Sequence, residues 1–168
     1  MKWIGYLFSL IWRLWFLLVF MLIFFALIPT LFFFTAIVQN SVVVAHLTRY
    51  WAKLTLWFSF IFPKVKWEEK LDKKTCFIFC PNHVSTLDIP FVLAVLPIPL
   101  QFIGKAELAK IPLFGWLYKK NNVIVDRNKI KDAYSAFLKA GEKLDKGQSM
   151  CIFPEGEIPK AAVFLKKF

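Results

Sequence analysis

Apolar and polar positions follow two different rhythms along this chain. From Leu14 to Val38, 25 residues pass without a charge. As a helix this run is roughly 37 Å long, enough to cross a ~30 Å hydrocarbon layer with some tilt. It exceeds the apolar core of a cleaved leader, and no small-x-small cleavage site follows it. Pro29 lies inside the run, where a missing N–H favours a kink. Two geometries fit: a kinked single span, or a helix pair that dips into one leaflet and returns. In Val42–Phe62 the rhythm changes. His46, Arg49 and Lys53 recur at helical spacing beside Trp51, Leu54, Trp57 and Phe58. Such a helix lies in a membrane interface or packs on the protein's own core.

After Pro63 short apolar runs alternate with amphipathic ones. Strands are predicted at Thr75–Cys80, Leu100–Gly104, Val123–Val125 and Ser149–Phe153. Helices are predicted at Leu87–Leu96, in pieces over Glu107–Lys120, and at Lys131–Lys146. The last has Ala133, Phe137, Ala140 and Leu144 on one stripe, with Tyr134, Leu138 and Gly141 beside it, and Gly147 ends it. Strands alternating with helices predict an α/β domain, its mostly parallel, mixed sheet flanked by helices and preceded by hydrophobic N-terminal membrane helices.

Charge sharpens the division. Residues 1–67 hold no Asp or Glu, and all 11 acids lie between Glu68 and Glu157. The expected organisation is a membrane-associated helical segment over 1–63 and an α/β domain over 64–168. The chain is 58% hydrophobic, with 20 Phe and 7 Trp, yet carries a net charge of +11. That hydrophobicity excludes a disordered chain. Three Cys speak against a disulfide scaffold. Greasy and basic together point to an anionic membrane surface. The positive-inside tendency places the domain after the basic helix in the cytoplasm.

In parallel α/β folds, sites gather where strands end and helices begin. The first predicted strand is followed by Cys80-Pro81-Asn82-His83 and then Val84-Ser85-Thr86-Leu87-Asp88. His83, one of two histidines, can serve as a general base if a carboxylate orients it, and Asp88 can fold back to do so. Ser85-x-x-Asp88 also reads as a capping box, and Asp88 can do both jobs. The third strand ends at Asp126-Arg127. Arginine there suits a phosphate, or else pairs with Asp126 as a solvated residue. The fourth ends at Phe153-Pro154-Glu155-Gly156, which can hold a hydroxyl or aim backbone N–H groups at an anion, or form an ordinary turn. Lys105 follows the second strand. A base, two cations and a Glu at four strand ends can converge on one phosphorylated substrate. Acyl transfer from an activated thioester needs no more: the base takes a hydroxyl proton and the alkoxide attacks. Neither a nucleophilic Ser nor a metal is required.

Asn82-His83-x4-Asp88 resembles the NHx4D signature of the glycerolipid acyltransferases, nearest to the bacterial 1-acyl-sn-glycerol-3-phosphate acyltransferases. Three further blocks agree in order: Gly104-Lys105-Ala106-Glu107-Leu108 with Ile111-Pro112-Leu113-Phe114-Gly115-Trp116 after it, Val123-Ile124-Val125-Asp126-Arg127, and Phe153-Pro154-Glu155-Gly156. The resemblance spans about residues 75–168. It implies that His83 is the catalytic base and Asp88 its partner. It implies that Lys105 and Arg127 bind the acceptor phosphate, and that Glu155 and Gly156 position the acceptor. It further implies acyl transfer from acyl-CoA or acyl carrier protein to the sn-2 hydroxyl of lysophosphatidate, a membrane lipid, with no cofactor and no metal. Departures from the family pattern are Asn121 or Asn122 where a Gly often stands, and Glu157-Ile158-Pro159 where Thr-Arg-Ser is usual, with Lys160 as a replacement cation. A fourth, Val-Pro-rich block is not present before Phe168, so the chain is expected to be truncated.

Rival readings come from other classes. An acyltransferase for another lysolipid shares every motif. A non-catalytic membrane-bound lipid binder keeps Lys105 and Arg127 and does not need His83. A nucleic-acid binder needs basic residues interleaved with aromatics on the soluble part, whereas the aromatics concentrate before Pro63. A metal site from Cys76, Cys80 and Cys151 completes no tetrahedral set, and the first two are expected in or at the end of a buried strand.

Overall fold

The computed structural model describes residues 2–126, 128–156 and 158. It divides into two compact units, residues 1–68 with 90–96, and residues 69–89 with 97–168.

The first unit is built on a long helix, α1 (Lys2–Phe32), that runs unbroken through Pro29 into a wider π turn over Phe33–Ile37. The chain reverses at Gln39, which has φ 54°. Asn40 starts the next helix, α2 (Ser41–Phe58), by accepting from the Val42 and Val43 N–H groups at 3.1 Å each. The two helices pack as an antiparallel hairpin. Trp51 donates its indole N–H to the Phe20 carbonyl at 3.4 Å and meets the Phe20 ring edge-on at 4.6 Å. Trp15 donates to the Phe58 carbonyl at 2.9 Å. The run Leu14–Val38 is thus one continuous helical stretch through Pro29 and not a pair turning there; the reversal comes after it, at Gln39–Asn40. One face of α2, with Val44, Trp51, Ala52 and Leu56, is buried. His46 and Lys53 stand exposed beside Tyr50, Leu54 and Trp57. Most of α1 has no protein cover, with Trp3, Phe8, Leu14 and Leu22 all exposed.

The second unit is a four-stranded sheet in the order β1-β4-β2-β3: β1 (Ile78–Phe79), β2 (Leu100–Lys105), β3 (Val123–Val125) and β4 (Ser149–Cys151). All three pairings are parallel, so the described sheet is purely parallel rather than mixed. The register sets Phe79 and Phe102 on either side of Cys151, and Lys105 beside Val125. β1 is shorter than the apolar run Thr75–Cys80 predicts. Its pairing continues through the Met150 N–H to the Phe77 carbonyl, but Cys80 is exposed and Cys76 only half-buried. Cys151 is fully buried, and burial, with a smaller effect of Cys80, pushes its thiol pKa up to about 12.

After β1, helix α3 (Asp88–Val95) begins. After β2 comes a 3₁₀ turn over Ala106–Lys110 and then α4 (Phe114–Asn121). Gly115 is needed there because a Cβ would collide with the Ala109 carbonyl. After β3 comes α5 (Ile130–Asp145), closed by Gly147 at φ 75°, whose N–H donates to the Leu144 carbonyl at 2.8 Å. α5 packs on the sheet through small residues. Ala136 and Ala140 join Val123, Val125 and Met150 in the core, with Ile103 and Leu144 against it. Ala133, Tyr134, Phe137 and Leu138, expected on or beside the core stripe, are exposed.

Candidate active site

Because the strands are parallel and β4 is inserted between β1 and β2, the loops after β1 and β4 leave from neighbouring strands at one edge. That topology brings together residues 72 positions apart: the His83 N–H donates to Glu155 Oε1 at 3.2 Å. The Phe153 ring lies over the His83 imidazole, with centroids 4.2 Å apart and planes 25° off parallel.

Asp88 organises the loop from the other side. Its Oδ2 lies 3.0 Å from His83 Nδ1, and it also accepts the Val84 N–H at 2.7 Å and the Ser85 N–H at 2.8 Å. The Asp88 N–H in turn donates to the Ser85 carbonyl at 3.1 Å. Half of a capping box is thus present. The other half is displaced, since Ser85 Oγ accepts from the Leu87 N–H instead. Asp88 therefore both closes the helix start and holds the imidazole. A carboxylate only accepts, so the contact puts the ring proton on Nδ1 and leaves Nε2 as the basic nitrogen. Both side chains are largely buried, at 13% and 18% exposure.

The other predicted residues fall differently. Glu155 Oε2 is buried with no hydrogen-bond partner among the described residues, leaving an acceptor oxygen beside the His83 loop. Gly156 spends its N–H on the turn, donating to the Phe153 carbonyl at 3.0 Å with φ 76°. It is a turn residue in this structure, not a free anion donor. Lys105 sits at the end of β2, 3.8 Å from Glu107, with both side chains half exposed. Arg127 lies outside the described residues. Its neighbour Asp126 is held below the usual carboxylate range, chiefly by the Asn128 N–H at 3.1 Å, and pairs with Lys129 at 3.5 Å. Sequence reasoning gave Phe153 no role of its own. The signal was its place just before the Pro-Glu-Gly turn, two residues past the end of the strand beside β1.

Residues 63–167 match the sequence profile of the acyltransferase family. The chain belongs to that family. Among curated acyltransferases, it is 38% identical over 79 residues to the lyso-ornithine lipid O-acyltransferase of Pseudomonas aeruginosa, covering 47% of this chain and 30% of that protein. It is 30% identical over 131 residues to the 1-acyl-sn-glycerol-3-phosphate acyltransferase of the same organism, covering 74% and 50%. The crystal structure of the 1-acyl-sn-glycerophosphate (LPA) acyltransferase from Thermotoga maritima superposes with a TM-score of 0.68 at 28% identity, over 87% of this chain and 61% of that one. The chain therefore spans half or less of the length of these two curated acyltransferases.

Proposed function

We propose that this acyltransferase moves an acyl chain from acyl-CoA or acyl carrier protein to the sn-2 hydroxyl of 1-acyl-sn-glycerol 3-phosphate, giving phosphatidate. The observation that carries the reading is the His83–Asp88 contact at 3.0 Å, within a chain similar to lysophosphatidate acyltransferases. His83 Nε2 takes the proton from the acceptor hydroxyl while Asp88 stabilises the imidazolium that forms. The alkoxide oxygen bonds to the thioester carbonyl carbon, and the C–S bond breaks. The departing thiolate takes the proton back from His83. Glu155 Oε2, beside the His83 loop, helps position the acceptor, and Lys105 with Arg127 holds the phosphate. The base needs no metal and no cofactor in this scheme.

The acceptor is a membrane lipid, and the helix pair supplies the means to reach it. α1 is long and apolar enough to cross a bilayer, and most of its surface is uncovered by protein. With the basic face of α2, it anchors the chain to an anionic membrane and keeps residues 64–168 on the cytoplasmic side.

A second reading, acylation of another lysolipid, is favoured by the 38% identity to a lyso-ornithine lipid O-acyltransferase. Membranes carrying the chain are supplied with a labelled acyl donor and either acceptor. Labelled phosphatidate supports the first reading. Labelled ornithine lipid alone establishes the second and removes the phosphate role from Lys105. No product with either acceptor refutes both.

A further inference from the structure

We propose that the α/β unit carries a membrane-docking knob of its own, made by the segment from Lys110 to Lys120. The proposal rests on the reading of a lipid substrate, because it says how the sheet unit meets the surface that holds that substrate.

The segment breaks two rules of a soluble surface. Leu113 has φ 61° and ψ −57°, a conformation L-residues rarely adopt, and the Phe114 N–H reaches back to the Pro112 carbonyl at 2.6 Å. That is a γ-turn of the strained hand, centred on a leucine. The strain does not bury the residue. Leu113 is 62% exposed, Ile111 is 47% exposed, and Trp116 is 37% exposed one turn on. A strained backbone that turns a leucine outward is a reason to look for what receives it.

Charge says what does. From Lys105 to Asn121 the cations are Lys105, Lys110, Lys119 and Lys120, and the single acid, Glu107, pairs with Lys105. Lys110 precedes Ile111 directly, and Lys119 and Lys120 lie three and four residues after Trp116, on its side of α4. Apolar tips flanked along the chain by lysines, with a tryptophan between, suit an anionic lipid surface: the tips enter, the indole lies at head-group depth, and the ammonium groups remain among phosphates. An exposed apolar stripe on α5, with Ile130, Tyr134, Phe137 and Leu138, sets Lys131, Lys139 and Lys143 against Asp132, Glu142 and Asp145, so that helix carries no net positive charge. The start of the knob follows the 3₁₀ turn after β2, which leaves the parallel sheet at the same edge as the loops that bear His83 and Glu155.

The test uses the full chain with Cys76, Cys80 and Cys151 replaced by alanine, and one environment-sensitive fluorophore on a cysteine at position 113, 111 or 73. The vesicles contain phosphatidylcholine with phosphatidylglycerol, or phosphatidylcholine alone. At 113 and 111 the emission is expected to shift to the blue and to be quenched by spin labels on the lipid chains. A label at 73, on an exposed loop, is expected to stay in water. Lys110→Gln, Lys119→Gln and Lys120→Gln together should reduce the shift in the anionic vesicles. Position 111 keeps the test open if the 113 variant misfolds. Labels at 111 and 113 as wet as the one at 73 would overturn the proposal. So would a blue shift that needs no lipid and grows with protein concentration or with added acyl carrier protein, which would mark a protein occupant. The readout requires no turnover, so a chain that docks but transfers no acyl group would refute the enzymatic reading alone.

Discussion

The ends of β1 and β4 differ sharply from the end of β2. At the first, Asp88 Oδ2 gathers three donors, Glu155 pins the His83 N–H, and Phe153 lies on the imidazole ring. At the second, Lys105 has Glu107 at 3.8 Å, and both are half in solvent. On the proposed function, the contrast follows from two tasks. A general base works only in one tautomer and one orientation, so its position must be set before substrate arrives. A cation that receives a phosphate acts at longer range and can adjust as the ligand binds. Substitutions at the fixed end should therefore lower kcat, and substitutions at the loose end should raise KM.

The largest effect is expected at His83. His83→Ala should lower kcat by about 10³-fold, the scale of a lost general base. Asp88→Asn should lower it by about 10²-fold, since Asn keeps shape but not the charge that stabilises the imidazolium. Steady-state kinetics with saturating acceptor measures both, and a change confined to KM would break the comparison. Glu155→Gln keeps an amide oxygen for the His83 N–H and changes the oxygen beside it. It should cost about tenfold in kcat/KM, on the scale of one charged hydrogen bond. Lys105→Ala should raise KM for a phosphorylated acceptor by about tenfold and leave kcat close to wild type. The same rise with a phosphate-free acceptor would remove the assignment.

The smallest effect concerns two thiols near the fixed end. Cys80 is exposed and Cys151 is buried with its pKa raised to about 12. Below the ordinary thiol pKa both folded and unfolded chains carry the Cys151 proton. Between that value and about 12 the folded chain still holds it and the unfolded chain does not, so this group's contribution to stability declines as pH rises. Denaturation midpoints over that range should fall less for Cys151→Ala than for wild type. A thiol reagent near neutral pH should modify Cys80 in the native protein and Cys151 only after unfolding.

Much of this site was legible because its chemistry sits at strand ends that short apolar runs mark out. Asn82-His83-x4-Asp88 and Phe153-Pro154-Glu155-Gly156 each end a run, and the parallel register then makes them neighbours. What the pattern could not supply was the pairing across 72 residues, which depends on β4 entering between β1 and β2. The stripe on α5 held at Ala140 and Leu144 and failed at Ala133 and Phe137 for a packing reason. A helix approaches a sheet closely through Ala136 and Ala140, so the larger Phe137 and Tyr134 are left outside. Pro29 misled for another. Removing one helix hydrogen bond is a modest loss inside so long an apolar run, and the reversal came where Asn40 could cap a new helix. Of the readings open for Phe153-Pro154-Glu155-Gly156, the Gly156 N–H follows the ordinary turn, committed to the Phe153 carbonyl as its φ permits.

The most direct measurement is acyl transfer to lysophosphatidate by membranes bearing the full chain, wild type beside His83→Ala, with a labelled thioester donor. Wild type is expected to form labelled phosphatidate, and the variant to form almost none while remaining in the same membrane fraction. Equal product from the variant, or none from wild type, would contradict the account.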